Sequence, residues 1–488
     1  MPTPGGYCLS FCGPTGEACD GACVESTRGG DLCARRCASD AECRVAEGYR
    51  CDPQWKACLL PGMAALPAPT CPSAGARDPA FAPSDALSTE HAPGIYQFEP
   101  SAVALPDGSI AILYGTRGAM PEGNALGWAH AARPGAAPAT IDQAFRSDRA
   151  SHFDPWLARD ASGALYAVWL GFDGRGSERQ QIGFATSSDA GATWSAPSSA
   201  HDPADCAGGE PDCLDKPMVL VGPEPRATGR EILYVMYAGH DAGLRVRASR
   251  DRGKTFGPTT TALDGIYGNA AISGDGRLHL VSLNGGPQAG LGSTEHKVEY
   301  TVSADAGATF RPPVTVSGAG ESLPFFFSNP AIAVDDRRGW IYVAYTRGGH
   351  DAAWDIAVAA SHDGGQTWTR TRLGDDPACA LHLVPNVALD PTTGTLHVAW
   401  YDSRGTGRFA HATCPVGAAR CTQRGAINDR PFAAISTERH GAKWLGEYES
   451  LIVDDRHRVL HAVWTQPVAE AKGAIARIFH ASAPLPAR

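Results

Sequence analysis

Short apolar runs recur along this chain, each bounded by Pro, Gly or Asp. One full unit begins with Pro330-Ala-Ile-Ala-Val-Asp335 and turns at residues 336–339. It continues with Trp340-Ile-Tyr-Val-Ala-Tyr345, a variable loop and Asp355-Ile-Ala-Val-Ala-Ala-Ser361. Runs this short, rich in β-branched and aromatic residues and closed by turn formers, predict strands. The first run recurs at Pro100, Pro155, Pro217, Ala270, Pro385 and Glu449, which with Pro330 makes seven units. The second recurs as Leu165-Tyr-Ala-Val-Trp169, Ile232-Leu-Tyr-Val-Met236, Leu396-His-Val-Ala-Trp400 and Leu460-His-Ala-Val-Trp464. Repeats of roughly 40–50 residues or more indicate a propeller or an open solenoid. No apolar run reaches the roughly 18 residues that would span a bilayer as a helix.

Four units carry an eight-residue signature after the third run. The copies are Ser187-Ser-Asp-Ala-Gly-Ala-Thr-Trp194, Ser249-Arg-Asp-Arg-Gly-Lys-Thr-Phe256, Ser303-Ala-Asp-Ala-Gly-Ala-Thr-Phe310 and Ser361-His-Asp-Gly-Gly-Gln-Thr-Trp368. Asp and Ser can bond turn amides and close the loop. Gly accepts a positive φ. The terminal Trp or Phe can plug a gap between neighbouring sheets. The pattern S-x-D-x-G-x-T-[WF] resembles the Asp box of the sialidase-like (BNR-repeat) β-propellers. The resemblance implies an all-β propeller; the seven units counted above make it seven-bladed, with six blades as the alternative, since sialidases of this type usually have six. It also implies that the signature Asp residues are structural.

The last unit has no room for a good fourth strand before the chain stops at Arg488. An open seam would leave unpaired edges. The expected donor is the segment of roughly residues 84–97, so that first and last units share a blade. The expected organisation is a cysteine-rich module over 1–71, a linker and closing strand over 72–97, and the propeller over 98–488.

Net charge is −10 with both signs scattered, which argues against a nucleic-acid partner. Ten of the fifteen cysteines fall within residues 1–71. That segment has almost no aliphatic runs, so cross-links must hold it. Zinc is the rival reading of its Cys-x3-Cys spacings; the dense, irregular spacing favours disulfides. Cys206/Cys213 and Cys414/Cys421 each close a short loop and are expected to be bonded. Cys71 and Cys379 are the uncertain pair. An exported protein follows, extracellular or on the cell surface. The N-terminal residues lack a basic start and an apolar stretch, so the chain is taken as a mature or trimmed form, lipid-anchored in its precursor or free. A monomer is expected.

In sialidase-like folds the site lies on the face opposite the signature turns. The residues just before each first run should ring the channel mouth there: Glu99, Asp154, Lys216, Asn269, Asn329, Val384 and Tyr448, with Glu447 beside the last. The same residues would also serve as a solvated rim of turn caps. Arg117, Arg347 and Arg404 fall on loops between second and third runs, as does Asp351 beside His350. The resemblance implies an arginine triad on a sugar carboxylate, a Tyr nucleophile helped by Glu, and an Asp acid/base. Tyr448, Glu447 and Asp154 are the catalytic candidates; Glu99, Arg117, Lys216, Asn269, Asn329, Arg347, Asp351 and Arg404 are the ligand-binding ones. Adjacent strand residues point opposite ways, so Tyr448 and Glu447 pair only if a bulge re-aims one. Glu99-Pro100 also stands where those sialidases carry Arg-Ile-Pro. His91, His152, His240, His296, His350 and His382 lie near predicted loops on that side, with no HxH or HExxH spacing. No metal and no cofactor is expected. The resulting expectation is a glycan- or surface-partner-binding propeller, with a glycan hydrolase or lyase as the alternative.

Overall fold

The structure is a computed structural model. It describes residues 76–87, 96–117, 124–131, 139–145, 149–173, 180–206, 213–239, 243–265, 267–284, 296–321, 323, 329–348, 354–373, 382–402, 407–416, 420–432, 446–470 and 473–487. Of the first 75 residues it describes 10–11, 22–25, 31–34, 37–43, 45–47, 49–53 and 57–59. Seven four-stranded antiparallel sheets form seven blades. Their first strands, blades 1 to 7, are Tyr96–Ala104, Ser151–Arg159, Leu214–Pro223, Tyr267–Ile272, Ala331–Asp335, His382–Leu389 and Ser450–Asp454. Each touches the first strand of the next blade, and that of blade 7 touches that of blade 1. The ring is therefore closed, and the seven-bladed expectation holds. Among the described residues no helix is long and apolar enough to cross a membrane.

Closure uses the segment ahead of blade 1. Asp85–Ala86 forms the outer strand of blade 7 against His480 and Phe479. Ala82 and Leu87 donate their amides to the carbonyls of Ser482 and Ile478 at 2.8 and 2.9 Å. The expected donor span ran to Gln97. Tyr96 and Gln97 instead open the first strand of blade 1.

The sheets pack face to face through large apolar side chains. Trp169, Trp400 and Trp464 close the second runs of blades 2, 6 and 7, and all three are fully buried. The signature turns join third and fourth strands and hold the blades together. In the second copy Ser249 donates to Asp251 at 2.8 Å, and the Gly253 amide donates to the Ser249 hydroxyl at 2.8 Å. The Thr255 amide and hydroxyl donate to the two Asp251 carboxylate oxygens at 2.9 and 2.6 Å. The other three copies repeat this set. A carboxylate accepting several bonds favours its charged form. The Thr255 hydroxyl, then its amide, hold the Asp251 pKa down at about 2.

Each turn plugs the preceding blade. Trp194 meets Trp128 edge-on with ring centroids 5.4 Å apart; Phe256 meets Phe184 and Trp368 meets Tyr300 at the same distance. Blade 7 has no such turn, and Phe81 stands in for it, edge-on to His411 of blade 6 at 5.3 Å. His411 occupies the strand position of Phe184 and Tyr300, opposite the fourth residue of the second run. The closing segment thus seals the joint as well as the sheet.

Gly253 tests the plug. Its φ is +81°, and a Cβ there would run into the Phe184 ring. Gly253→Ala is expected to cost about 2–4 kcal/mol, combining left-handed strain with overpacking. Urea denaturation showing a loss under about 1 kcal/mol would mean that the joint yields freely.

Candidate functional site

Four first strands share one irregularity. Pairing slips between Phe98 and Ser101, Phe153 and Trp156, Asp215 and Met218, and Leu383 and Asn386. Inside each slip the residue before a proline has a positive φ: Glu99 53°, Asp154 49°, Lys216 47° and Val384 52°. Proline has no N–H for the ladder and settles at bulges. A bulge re-aims a side chain, and a non-glycine left-handed residue is strained in a way that clusters at functional sites. The sequence reading placed these residues just ahead of the strands. They lie inside them, because the strands begin two or three residues before them and absorb the extra residue as a bulge.

Three of the four bulge residues converge. The Lys216 ammonium donates to Asp154 at 2.8 Å, to Glu447, and lies 3.9 Å from Glu99. Glu447 precedes the first strand of blade 7, so this ion cluster joins blades 7, 1, 2 and 3. Tyr267 of blade 4 donates its hydroxyl to the Glu447 carboxylate at 3.1 Å. The Asn329 amide, ahead of blade 5, donates to the Glu447 carbonyl at 2.9 Å. The Lys216 ammonium sits 5.8 Å from the ring centres of both Tyr267 and Tyr448. Val384 of blade 6 is buried. Asn269 is half-buried inside the first strand of blade 4, opposite Val281.

The cluster is dry and charged. Glu99 is 0% exposed, and its carboxyl lies against that of Asp154, its side-chain partner. Burial first, then the Asp154 charge, push its pKa well above the ordinary carboxylate value, against the pull of Lys216. Burial and a like-charged neighbour both favour the protonated form of Glu99. Burial alone would lower the Lys216 pKa, but Asp154, Glu447 and Glu99 hold it well above its usual value.

Glu447 and Tyr448 both reach the cluster, through different partners. Glu447 turns its carboxylate to Lys216 and Tyr267. The Tyr448 hydroxyl donates to the Pro155 carbonyl at 3.2 Å, and its ring packs on Trp156 at 5.3 Å. Burial raises the Tyr448 pKa well above 10, with Glu99 and Asp154 adding to it. A nucleophilic phenolate would need the opposite shift.

The two described candidate arginines go elsewhere. Arg347 pairs with Glu321 at 3.3 Å, and Tyr345 donates to the same carboxylate at 2.8 Å. Arg117 is exposed at the end of its strand, opposite Tyr96. Arg404, Asp351, His91, His240 and His350 lie outside the described residues. His152 and His296 bond the carbonyls of Asn124 and Leu323 at 3.2 and 3.0 Å. His382 lies between Asp355 at 3.0 Å and Asp402 at 3.5 Å, and these carboxylates raise its pKa against the effect of burial.

Several participants escaped the sequence reading. Tyr267 lies two residues before Asn269, a signal that was available. Glu449 takes the Tyr401 hydroxyl and the Thr465 amide, the latter at 3.0 Å, and anchors the segment that carries Glu447. Nothing local in the sequence marks that bond.

Disulfides join Cys37 to Cys51, Cys43 to Cys58, Cys206 to Cys213 and Cys414 to Cys421. The two propeller bonds are the expected ones. Cys37, Cys43 and Cys51 gather their sulfurs within 4.8 Å, yet each is spent in a disulfide, so none offers zinc a thiolate. Cys71 and Cys379 lie outside the described residues.

No family model matches this sequence, and no curated protein matches it. Solved structures similar to it include a protein of unknown function from Dyadobacter fermentans, with 12% identity, TM-score 0.48, and coverage of 84% of this chain and all of that one. A Hadza microbial sialidase is 17% identical with TM-score 0.43, covering 66% of each chain. An α-L-arabinofuranosidase from Fusarium graminearum is 15% identical with TM-score 0.45, covering 68% of this chain and 93% of that one.

Proposed function

We propose that this chain is an exported, BNR-type β-propeller that recognises glycans at the mouth of its central channel. The observation that carries this is the convergence of Glu99, Asp154, Lys216, Tyr267, Asn329, Glu447 and Tyr448 from six blades on one point. Carboxylates and amides bond the hydroxyls of a sugar, and aromatic faces such as Tyr448 and Trp156 cover its apolar face. Binding sites commonly combine a few convergent polar groups with such walls. The four disulfides support export, since such bonds persist in oxidising compartments. A surface glycoprotein is the natural bearer of the ligand.

A hydrolase is the second reading, favoured by Glu99 alone. A protonated carboxyl beside an ionised one is how environment sorts an acid from a base. In that case Glu99 would donate the proton and Asp154 or Glu447 would act as the base. The tyrosine-nucleophile form is less favoured, given the Pro155 bond and raised pKa of Tyr448.

Glycan-array binding run beside a sugar-release assay tests both. The expected result is binding that falls at least tenfold in Asp154→Asn. Turnover lost in Glu99→Gln but kept in Tyr448→Phe would establish the hydrolase. Neither binding nor turnover on any glycan would leave the cluster as a structural tie between blades.

A further inference from the structure

We infer that the seam of the ring is an acid-sensitive latch. Two histidine pairs hold the closing segment 76–87 on blades 6 and 7, and protonating them frees it. The inference is independent of what the channel mouth binds.

The pairs occupy one repeated position. His279, His397 and His461 each follow a leucine in the second strand of blades 4, 6 and 7. In blade 4 the third strand answers with Tyr300, whose hydroxyl lies 2.8 Å from the His279 ring. In blades 6 and 7, where the closing segment lies, it answers with a second histidine. His397 bonds His411 and His461 bonds His480, each at 3.1 Å, with stacked rings 5.3 and 5.4 Å apart.

Both second histidines meet the closing segment. His411 bonds the buried Asp78 carboxylate at 2.8 Å and lies edge-on to Phe81. His480 stands directly across the strand pair from Asp85. The rest of the hold is the burial of Phe81 and Leu87, a few backbone bonds, and partly exposed ties from Arg77 and Ser84 to Asp429. Exposed ion pairs are worth little.

A bond between two imidazoles needs one bare nitrogen. Once both rings are charged, two N–H groups face each other and the bond is lost. Even one charge is costly in a buried pair. Asp78 faces His411, with Arg424 near that carboxylate. Asp390 favours a charge on His397, and His411 and Arg458 oppose it. Asp454 favours one on His461, and His457 opposes it. Burial outweighs the carboxylates and lowers the pKa of His397 and of His461 to about 4; burial, then His461, lower that of His480 to about 3. The neutral rings therefore give stability that is fully present above about 6.5 and is lost as pH falls toward the folded values. A histidine released from about 4 to about 6.5 favours the opened form on the order of 20-fold more at pH 5 than at pH 7. His279 is also held at about 4 by burial, but no borrowed strand lies on it, so blade 4 is the internal control.

The test is hydrogen exchange of the full-length protein at pH 7 and pH 5, read as protection relative to the unstructured rate at each pH. Protection in 76–87 and 476–483 should fall at least about tenfold at pH 5. The blade 4 strand Lys297–Ser303 should change by less than about threefold. His461→Tyr/His480→Phe copies the Tyr166–Phe184 pair of blade 2 and should keep 476–483 protected at pH 5. His397→Gln leaves His411 a neutral partner and should do the same for 76–81. Unchanged protection at the seam of the wild-type protein, or an equal loss in blade 4, would overturn the inference. So would an undiminished pH effect in either folded variant.

Discussion

Lys216→Met is expected to cost about 3–5 kcal/mol at neutral pH, the range for removing one partner of a buried ion pair. The methionine fills similar volume, so the loss is electrostatic. Asp154, Glu447 and Glu99 would then share a dry site without a cation. Their folded-state pKa values would rise above the unfolded ones. The folded protein would bind more protons than the unfolded chain, so its stability would rise as pH falls. Urea denaturation at pH 7.5 and 5.5 should therefore show the deficit shrinking on acidification. Adding Glu447→Gln should recover part of it at pH 7.5. An equal deficit at both pH values would show that Lys216 acts by packing alone. In the wild-type protein the Lys216 contribution has the same sign but a far more alkaline window. The raised Lys216 pKa gives stability that is fully present below the unfolded value of about 10.5 and is lost as pH climbs through the folded value.

Phe81→Ala should be nearly as damaging, at about 3–5 kcal/mol, the range for a buried Phe truncation. Phe81 is 2% exposed and belongs to the apolar cluster that contains Phe98, Leu383, Tyr401, Phe409 and Trp464. It also covers His411, whose ring nitrogens bond Asp78 at 2.8 Å and His397 at 3.1 Å. Opening that cover should wet the blade 6–7 joint and free Asp85–Ala86 from blade 7. Hydrogen exchange should then speed up in 476–483 before it does in blades 2 to 4, whose joints keep their signature turns. Uniform loss of protection across all seven blades would mean that the seam is no weaker than the rest. An exposed edge on blade 7 also predicts concentration-dependent association.

Most of the framework was legible in the sequence because it is local. A strand needs a run of fitting side chains, and a signature turn needs eight consecutive residues. The Asp251 turn is satisfied by Ser249, Gly253 and Thr255, all within four residues. Short-loop disulfides such as Cys206–Cys213 are local in the same sense. Blade number followed from counting.

The candidate site was half legible. Glu99, Asp154, Lys216 and Glu447 could be grouped from their matching positions beside each apolar run. Their mutual pairing could not, since Lys216 and Glu447 stand in blades across the ring from each other. The bulges that aim them arise from strand register, which no single strand specifies. The arginines illustrate the converse. Arg347, expected on a loop, lies near the end of the strand Trp340–Gly348, where Glu321 pairs with it.

The sequence by itself determined the all-β repeat, its seven units, the four clasped turns and the need to borrow a closing strand, because each depends on residues within a few positions of one another. Only the tertiary structure decided that Phe81 replaces a missing turn, that Glu99 is buried beside Asp154, and that one lysine serves carboxylates from three other blades. Those outcomes depend on desolvation and on distances between side chains far apart in sequence, which are set only when the ring closes.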